Sequence, residues 1–368
     1  MERLVKTKEQ IMLTDEQIRV KAIKIKRKRI AATQVNIERW KTDPILYIKE
    51  RLGIKPETLD WNLLPEYKNH KWDGTENPLK KTCDLIALWK WIGIESAKNT
   101  GKTFLAACLV LWFLECFKNS IVVTVAPKKD QLALHIWREI GLLYPKFKKS
   151  GTELMDCKLK MNKEGSWLAT AFVASVGSQE EAATHASGFH AEHMLIIIEE
   201  TPGVKQEIIK SLVDTSTAPH NILLALGNPD SQTDNLHKFC SMSHVENIRM
   251  SAFDHPNVVL NNPAFITGAV SIAGLEKMKE LYGEDNPLYL SRAKGYSPVQ
   301  STDSLIKLEW CHEAKKKYDK YLDSENKLML DKIEGELGLG VDVANSVDGD
   351  KAAIAKGKGS VLISIKDF

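Results

Sequence analysis

The chain has no C-x-x-C pair, no H-E-x-x-H motif and no apolar stretch of the ~20 residues that a membrane helix needs. Its longest apolar run, Phe104 to Phe117, is interrupted by Glu115, and no signal-peptide pattern opens the sequence. These absences argue against a secreted or membrane protein and predict a soluble, intracellular one. The six cysteines (Cys83, Cys108, Cys116, Cys157, Cys240, Cys311) are too scattered for a disulfide or zinc framework and read as reduced thiols. His190 and His193, in the segment HAEH, have the wrong order and spacing for a zinc helix, and they read as ordinary polar residues before a strand. Internal repeats and low-complexity tracts are also missing.

What is present can build an ordinary core: 43% of the 368 residues are apolar. The formal charge of +3 conceals an asymmetry. Residues 1 to 30 hold ten of the 51 Lys/Arg and four of the 48 Asp/Glu, so the remainder is slightly acidic. Seven of the eleven residues from Arg19 to Arg29 are cationic, which suits a phosphate backbone, an acidic partner or simply solvent. We read residues 1–43 as a basic helical arm, with Asp43-Pro44 starting the folded body.

Apolar runs of strand length then alternate with longer helical patterns: Trp91 to Glu95, Ile121 to Ala126, Trp167 to Ala174, Met194 to Ile198 and Ile222 to Leu226. Near-continuous apolar strands separated by helices predict an α/β fold with a mostly parallel sheet covered on both faces. Residues 311–336 are charged and lysine-rich and read as a linker or connecting helix. Further strand-like runs, Leu337 to Val343, Ala352 to Ala355 and Val361 to Ile365, read as the start of a second sheet.

The segment Ser96-Ala97-Lys98-Asn99-Thr100-Gly101-Lys102-Thr103 lies between a short apolar strand and the long apolar helix. A phosphate-binding loop needs inward backbone N–H groups at a helix start, a lysine for the β and γ phosphates, and a hydroxyl for Mg²⁺. Gly101, Lys102 and Thr103 match that ending, whereas Ser96 stands where the general pattern has glycine. Read alone, the tripeptide GKT also fits a helix start with an exposed lysine. MLIIIEE, Met194 to Glu200, is a buried-strand pattern ending in two acids, which we assign to metal (Glu199) and to the attacking water (Glu200). Glutamate replaces the usual aspartate at the metal position. A third strand ends in Gly227-Asn228-Pro229-Asp230, making Asn228 a candidate γ-phosphate sensor or a turn cap.

Together these elements resemble the terminase large subunits of tailed bacteriophages. The likeness extends over most of residues 44 to 355, through KWDGTENPL, APKKDQLALHIWREI, GFHAEHMLIIIEETPGV, LALGNPD, DHPNVV and YLSRAKGYSP. It implies a P-loop ATPase domain over 44–310 that uses ATP and Mg²⁺ to drive double-stranded viral DNA into a procapsid. It also implies a ring, usually a pentamer, on the portal protein, a small terminase subunit as partner, and the host cytoplasm as location. Lys98 matches the basic residue that often precedes the loop glycine, and the family's trans-acting arginine has Arg138, Arg249 and Arg292 as candidates. LGLGVDVANSVDGDKAAIA resembles the opening of the family's RNase H-like nuclease, which uses two divalent metals (Mg²⁺ or Mn²⁺). Asp342 matches its first metal-binding aspartate, with Asp350 at most a local helper. The other nuclease acids are expected beyond residue 368, so residues 337–368 imply only an incomplete nuclease. Two other functions fit the same nucleotide elements: a helicase-like or repair translocase, and a non-catalytic assembly subunit with a structural nucleotide.

Overall fold

Eight strands form the principal sheet: β1 (Trp91–Ser96), β2 (Ile121–Ala126), β3 (Glu153–Met155), β4 (Lys158–Lys160), β5 (Leu168–Val173), β6 (His193–Ile198), β7 (His220–Gly227) and β8 (Val245–Met250). Five are the apolar runs. The edge strands β3 and β8 and the short β4 beside β3 carry no comparable signal, because strands at the margins of the sheet do not require burial on both faces. The order is β3-β4-β5-β2-β6-β7-β1-β8; all pairs from β5 to β8 are parallel, and β3 and β4 add antiparallel pairs at one edge. The computed structural model describes residues 34–174, 188–299, 306, 308–343 and 352–367, in two compact units divided between Ser301 and Thr302. The basic run Arg19 to Arg29 and Asp350 lie outside the described residues.

Side-chain parity sorts each strand between two cores. Ile92 and Ile94 of β1, Leu195 and Ile197 of β6, and Ile222, Leu224 and Leu226 of β7 face one core with helix α1 (Lys102–Cys116) and helix α2 (Ile136–Phe147). Met194, Ile196, Ile198, Leu223 and Ala225 face the other, against helix α3 (Gln206–Thr215) and helix α4 (Asn235–Cys240). Helix α1 is apolar around nearly its whole circumference, and it is buried accordingly. The exception, Glu115, is buried but paired: Arg51 Nε lies 3.0 Å and Lys149 Nζ 2.5 Å from its carboxylate, and the Tyr47 hydroxyl donates to it at 3.1 Å.

The folded body begins before Asp43-Pro44, the boundary expected from the sequence. Trp40 is buried in the core, its carbonyl accepts from Trp112 Nε1 at 2.6 Å, and its own indole donates to Glu50 at 2.9 Å. The Asp-Pro signal is a real helix start, with the Asp43 side chain capping the helix Pro44–Leu52, but it divides two helical stretches of one body.

In the second unit a helix, Leu308–Asp319, precedes an antiparallel sheet of order β11-β10-β9, formed by β9 (Leu337–Asp342), β10 (Ala353–Lys358) and β11 (Val361–Asp367). β9 is exposed along its length, and Val361 is the buried residue of β11. So short a sheet buries little apolar surface by itself.

Candidate nucleotide site

The parallel strands β1, β6 and β7 end on the same edge of the sheet, and the predicted site residues follow them directly. At the end of β1 the chain turns through Asn99 (φ 57°) and Gly101 (φ 93°), both left-handed, and enters α1 at Lys102. A side chain at Gly101 would meet only Leu79 at 3.7 Å, so glycine is required there by backbone conformation and not by space. Helix α1 starts directly after this turn, and the first amides of a helix have no intrahelical partner, which makes a helix start the usual seat for a phosphate.

Ser96, the departure from the general loop pattern, is fully buried and closes the loop from within. Its hydroxyl donates to the Ala97 carbonyl at 2.7 Å and lies 2.7 Å from the Thr100 hydroxyl, which reaches the same carbonyl at 3.2 Å. The loop is also held from outside: Ala97 N–H donates to Met250, Lys98 N–H to the Arg292 carbonyl, and the Asn99 carbonyl accepts from Val270. The Lys98 side chain is exposed.

Glu199 follows β6 with the parity of Leu195 and Ile197, so its carboxyl projects onto the α1 side of the sheet, 2% exposed. Burial raises its pKa to about 7, against the opposing pull of the Thr103 hydroxyl, the Lys102 ammonium and the Ile136 amide at the start of α2, while Glu200 adds to the rise. Its Oε2 is buried with no hydrogen-bond partner among the described residues. An orphaned carboxylate oxygen beside a threonine hydroxyl is a donor set that fits Mg²⁺. Lys102 is buried too. Desolvation lowers its pKa, and the Glu200 and Glu199 carboxylates oppose that shift in this order.

Glu200, half-buried, has a left-handed backbone (φ 48°, ψ 46°), uncommon for a non-glycine residue and typical of functional turns. The turn is pinned by the Thr201 hydroxyl, which donates to Ile198 at 2.8 Å and across to Leu226 of β7 at 3.1 Å. Asn228, past the end of β7, donates through Nδ2 to the Ser96 carbonyl at 2.5 Å and so touches the loop itself. The structure thus gathers Ser96 to Thr103, Glu199, Glu200 and Asn228 at one end of three neighbouring strands. Asp342 lies in the second unit, exposed at the end of β9.

Of the three arginine candidates, Arg249 is held by Asp73 and the Lys294 carbonyl and stacks on Tyr296, and Arg292 bonds the Tyr282 hydroxyl. Arg138, on α2, is 65% exposed and lies 3.4 Å from its neighbour Glu139.

Two residues in contact with the loop strand were not singled out from the sequence. Glu95 is buried on the sheet face opposite α1, bonded by His237 at 2.7 Å, Ser297 at 2.5 Å and Asn247 at 3.3 Å. It borders a cavity of about 310 Å³ shared with Thr75, Gln232, Arg249 and Tyr296. Gly295 has φ 61°, and a Cβ there would lie 2.6 Å from the Met250 carbonyl and 2.8 Å from the Ala97 nitrogen. A glycine after a helix is a legible C-cap, but that this one abuts the loop is not.

Comparison with known protein families finds no match. The "Probable terminase, large subunit" of Enterobacteria phage P7 is 24% identical over 274 residues, covering 72% of this chain and 52% of that protein. The chain therefore spans about half the length of this curated relative. Among solved structures, the large terminase of a thermophilic bacteriophage aligns over 87% of this chain and 68% of its own, at 9% identity and a TM-score of 0.45. The large terminase ATPase domain of Thermus phage P74-26 aligns over 55% and 86%, at 11% identity and a TM-score of 0.38. In sequence the chain is similar to a phage terminase large subunit, the family that its motifs resemble.

Proposed function

We propose that this chain is the ATPase motor of a terminase large subunit, hydrolysing ATP to move double-stranded viral DNA into a procapsid. The observation that supports this most directly is the convergence of Lys102 and Thr103 with Glu199 and Glu200, remote in sequence, at the carboxyl ends of the parallel strands β1 and β6, which flank β7. In this reading the loop amides and the Lys102 ammonium hold the β and γ phosphates. Thr103 and Glu199 hold Mg²⁺, which supplies charge neutralisation on the triphosphate. Glu200, at its strained turn, orients the attacking water and accepts its proton. Asn228, bonded to the loop at Ser96, reports the presence of the γ-phosphate to the strand end. Arg138, exposed on α2, is the candidate to reach a neighbouring subunit's nucleotide in a ring on the portal.

The finer assignments belong to the same proposal: residues 44–310, together with the helical stretch before Asp43, as motor, 311–336 as linker, and 337–368 as the beginning of an RNase H-like nuclease with Asp342 as a metal ligand. The partners are the portal, the procapsid and a small terminase subunit, in the host cytoplasm. Because packaging accepts any sequence, DNA contact is through the backbone and falls steeply with salt.

Phosphate release by the purified chain tests the motor. Wild type turns over ATP, Lys102→Ala loses binding or hydrolysis, and Glu200→Gln retains binding without turnover. Equal turnover in all three overturns the site, and unwinding of duplex DNA without stimulation by portal or procapsid replaces packaging with a helicase-like function. Binding without turnover in wild type leaves only a structural nucleotide.

A further inference from the structure

At the opposite end of the sheet, His193 and His220 open β6 and β7 and are register partners in the parallel pair. The parity that sends Leu195 and Ile222 toward α1 puts both imidazoles on that same face. Their rings lie parallel, 5.0 Å apart at 4°. Phe117, just past α1, stacks on His193 at 5.2 Å, and Trp89 (φ 61°) lies against both rings, at 5.6 Å and 4.6 Å. Glu192 immediately precedes His193 and is exposed, while the two rings are half-buried. One donor atom from each of the three residues lies within 4.8 Å of the others.

We propose that Glu192, His193 and His220 form a site for a divalent transition-metal ion of the Zn²⁺ type. Two imidazole nitrogens and one carboxylate oxygen are the borderline donors that such ions select, and Mg²⁺, which prefers an all-oxygen shell, is not their match. Three protein ligands leave the fourth tetrahedral position to water. Tetrahedral Zn²⁺ with bonds of about 2.0–2.1 Å needs its donors roughly 3.3 Å apart, so the side chains must close by about 1.5 Å, within reach of small rotations at the half-buried rings. The exposed Glu192 leaves a path from solvent. The HAEH segment does not mark such a site by its spacing, because the second histidine is His220, from the neighbouring strand, and His190 is not part of it.

The site is separate from the nucleotide edge, so its test does not depend on the motor reading. The metal-stripped full chain is titrated with Zn²⁺ by calorimetry in excess Mg²⁺, which saturates oxygen-only sites, and with Co²⁺ by visible absorption. One Zn²⁺ binds per chain, on the order of micromolar or tighter, and Co²⁺ gives intense tetrahedral bands without thiolate charge transfer. His220→Ala and Glu192→Gln each weaken binding at least about tenfold, whereas His190→Ala leaves it unchanged. Glu192 is exposed, so its variant keeps the fold, checked by circular dichroism. Absence of Zn²⁺ binding in excess Mg²⁺ overturns the proposal. Binding that survives both variants, or that shows thiolate bands from the exposed Cys311, also overturns it.

Discussion

The Thr103 hydroxyl stands against the Glu199 carboxyl, joining the first turn of α1 to the end of β6 across 96 positions of sequence. If this pair holds Mg²⁺, then Thr103→Val, which keeps shape and loses the oxygen, weakens Mg-ATP binding by about 10- to 100-fold. Thr103→Ser should retain it. Fluorescent nucleotide titration with and without Mg²⁺ measures this, and equal affinity of the valine and serine variants would exclude the assignment.

Gly295 bears on the loop without belonging to it. Gly295→Ala combines a left-handed backbone with a Cβ pressed against two backbone atoms, so the loop or the end of the Pro287–Lys294 helix must shift. The expected cost is more than about 1 kcal/mol in stability, together with a fall in ATP turnover larger than that of an alanine placed at the unobstructed Gly141. Urea unfolding and phosphate release on the two variants make the comparison.

Glu115 is the buried carboxylate within α1, and its removal separates ion pairing from packing. Glu115→Ala leaves the Tyr47 hydroxyl without its acceptor, but Arg51 and Lys149 keep access to water at 20% and 40% exposure. The loss should therefore fall below that of a fully enclosed pair, at about 2–3 kcal/mol. Urea midpoints give the value; a change under about 0.5 kcal/mol would mean that the cluster is energetically neutral.

Acid sensitivity should have a component from His255. Burial depresses its pKa to about 4, so the unfolded chain binds the proton more readily. The corresponding stability is fully present above the usual value near 6.5 and is lost as pH falls toward 4, up to about 3 kcal/mol. His255 caps the helix Pro256–Val259 by accepting from the Asn257 amide, a bond that asparagine can reproduce. Between pH 7.5 and 4.5, wild type should lose more stability than His255→Asn; parallel losses would remove His255 as the source.

Composition and periodicity alone determined the strands β1, β2, β5, β6 and β7, because β1, β2, β6 and β7 are buried on both faces and must be apolar along their length, and β5 is half-buried beside them. The meeting of the loop with the two strand-end glutamates was expected for a related reason: the phosphate and metal chemistry we propose demands particular residue types at positions that the strand pattern already marks. What sequence could not decide were the contacts between segments remote in the chain. Trp40 in the core, Glu95 behind the loop, Gly295 against Ala97 and the His193–His220 pair depend on which strands become neighbours and on which face each side chain emerges. Strand order and parity set those relations in three dimensions, and a local pattern carries no record of them.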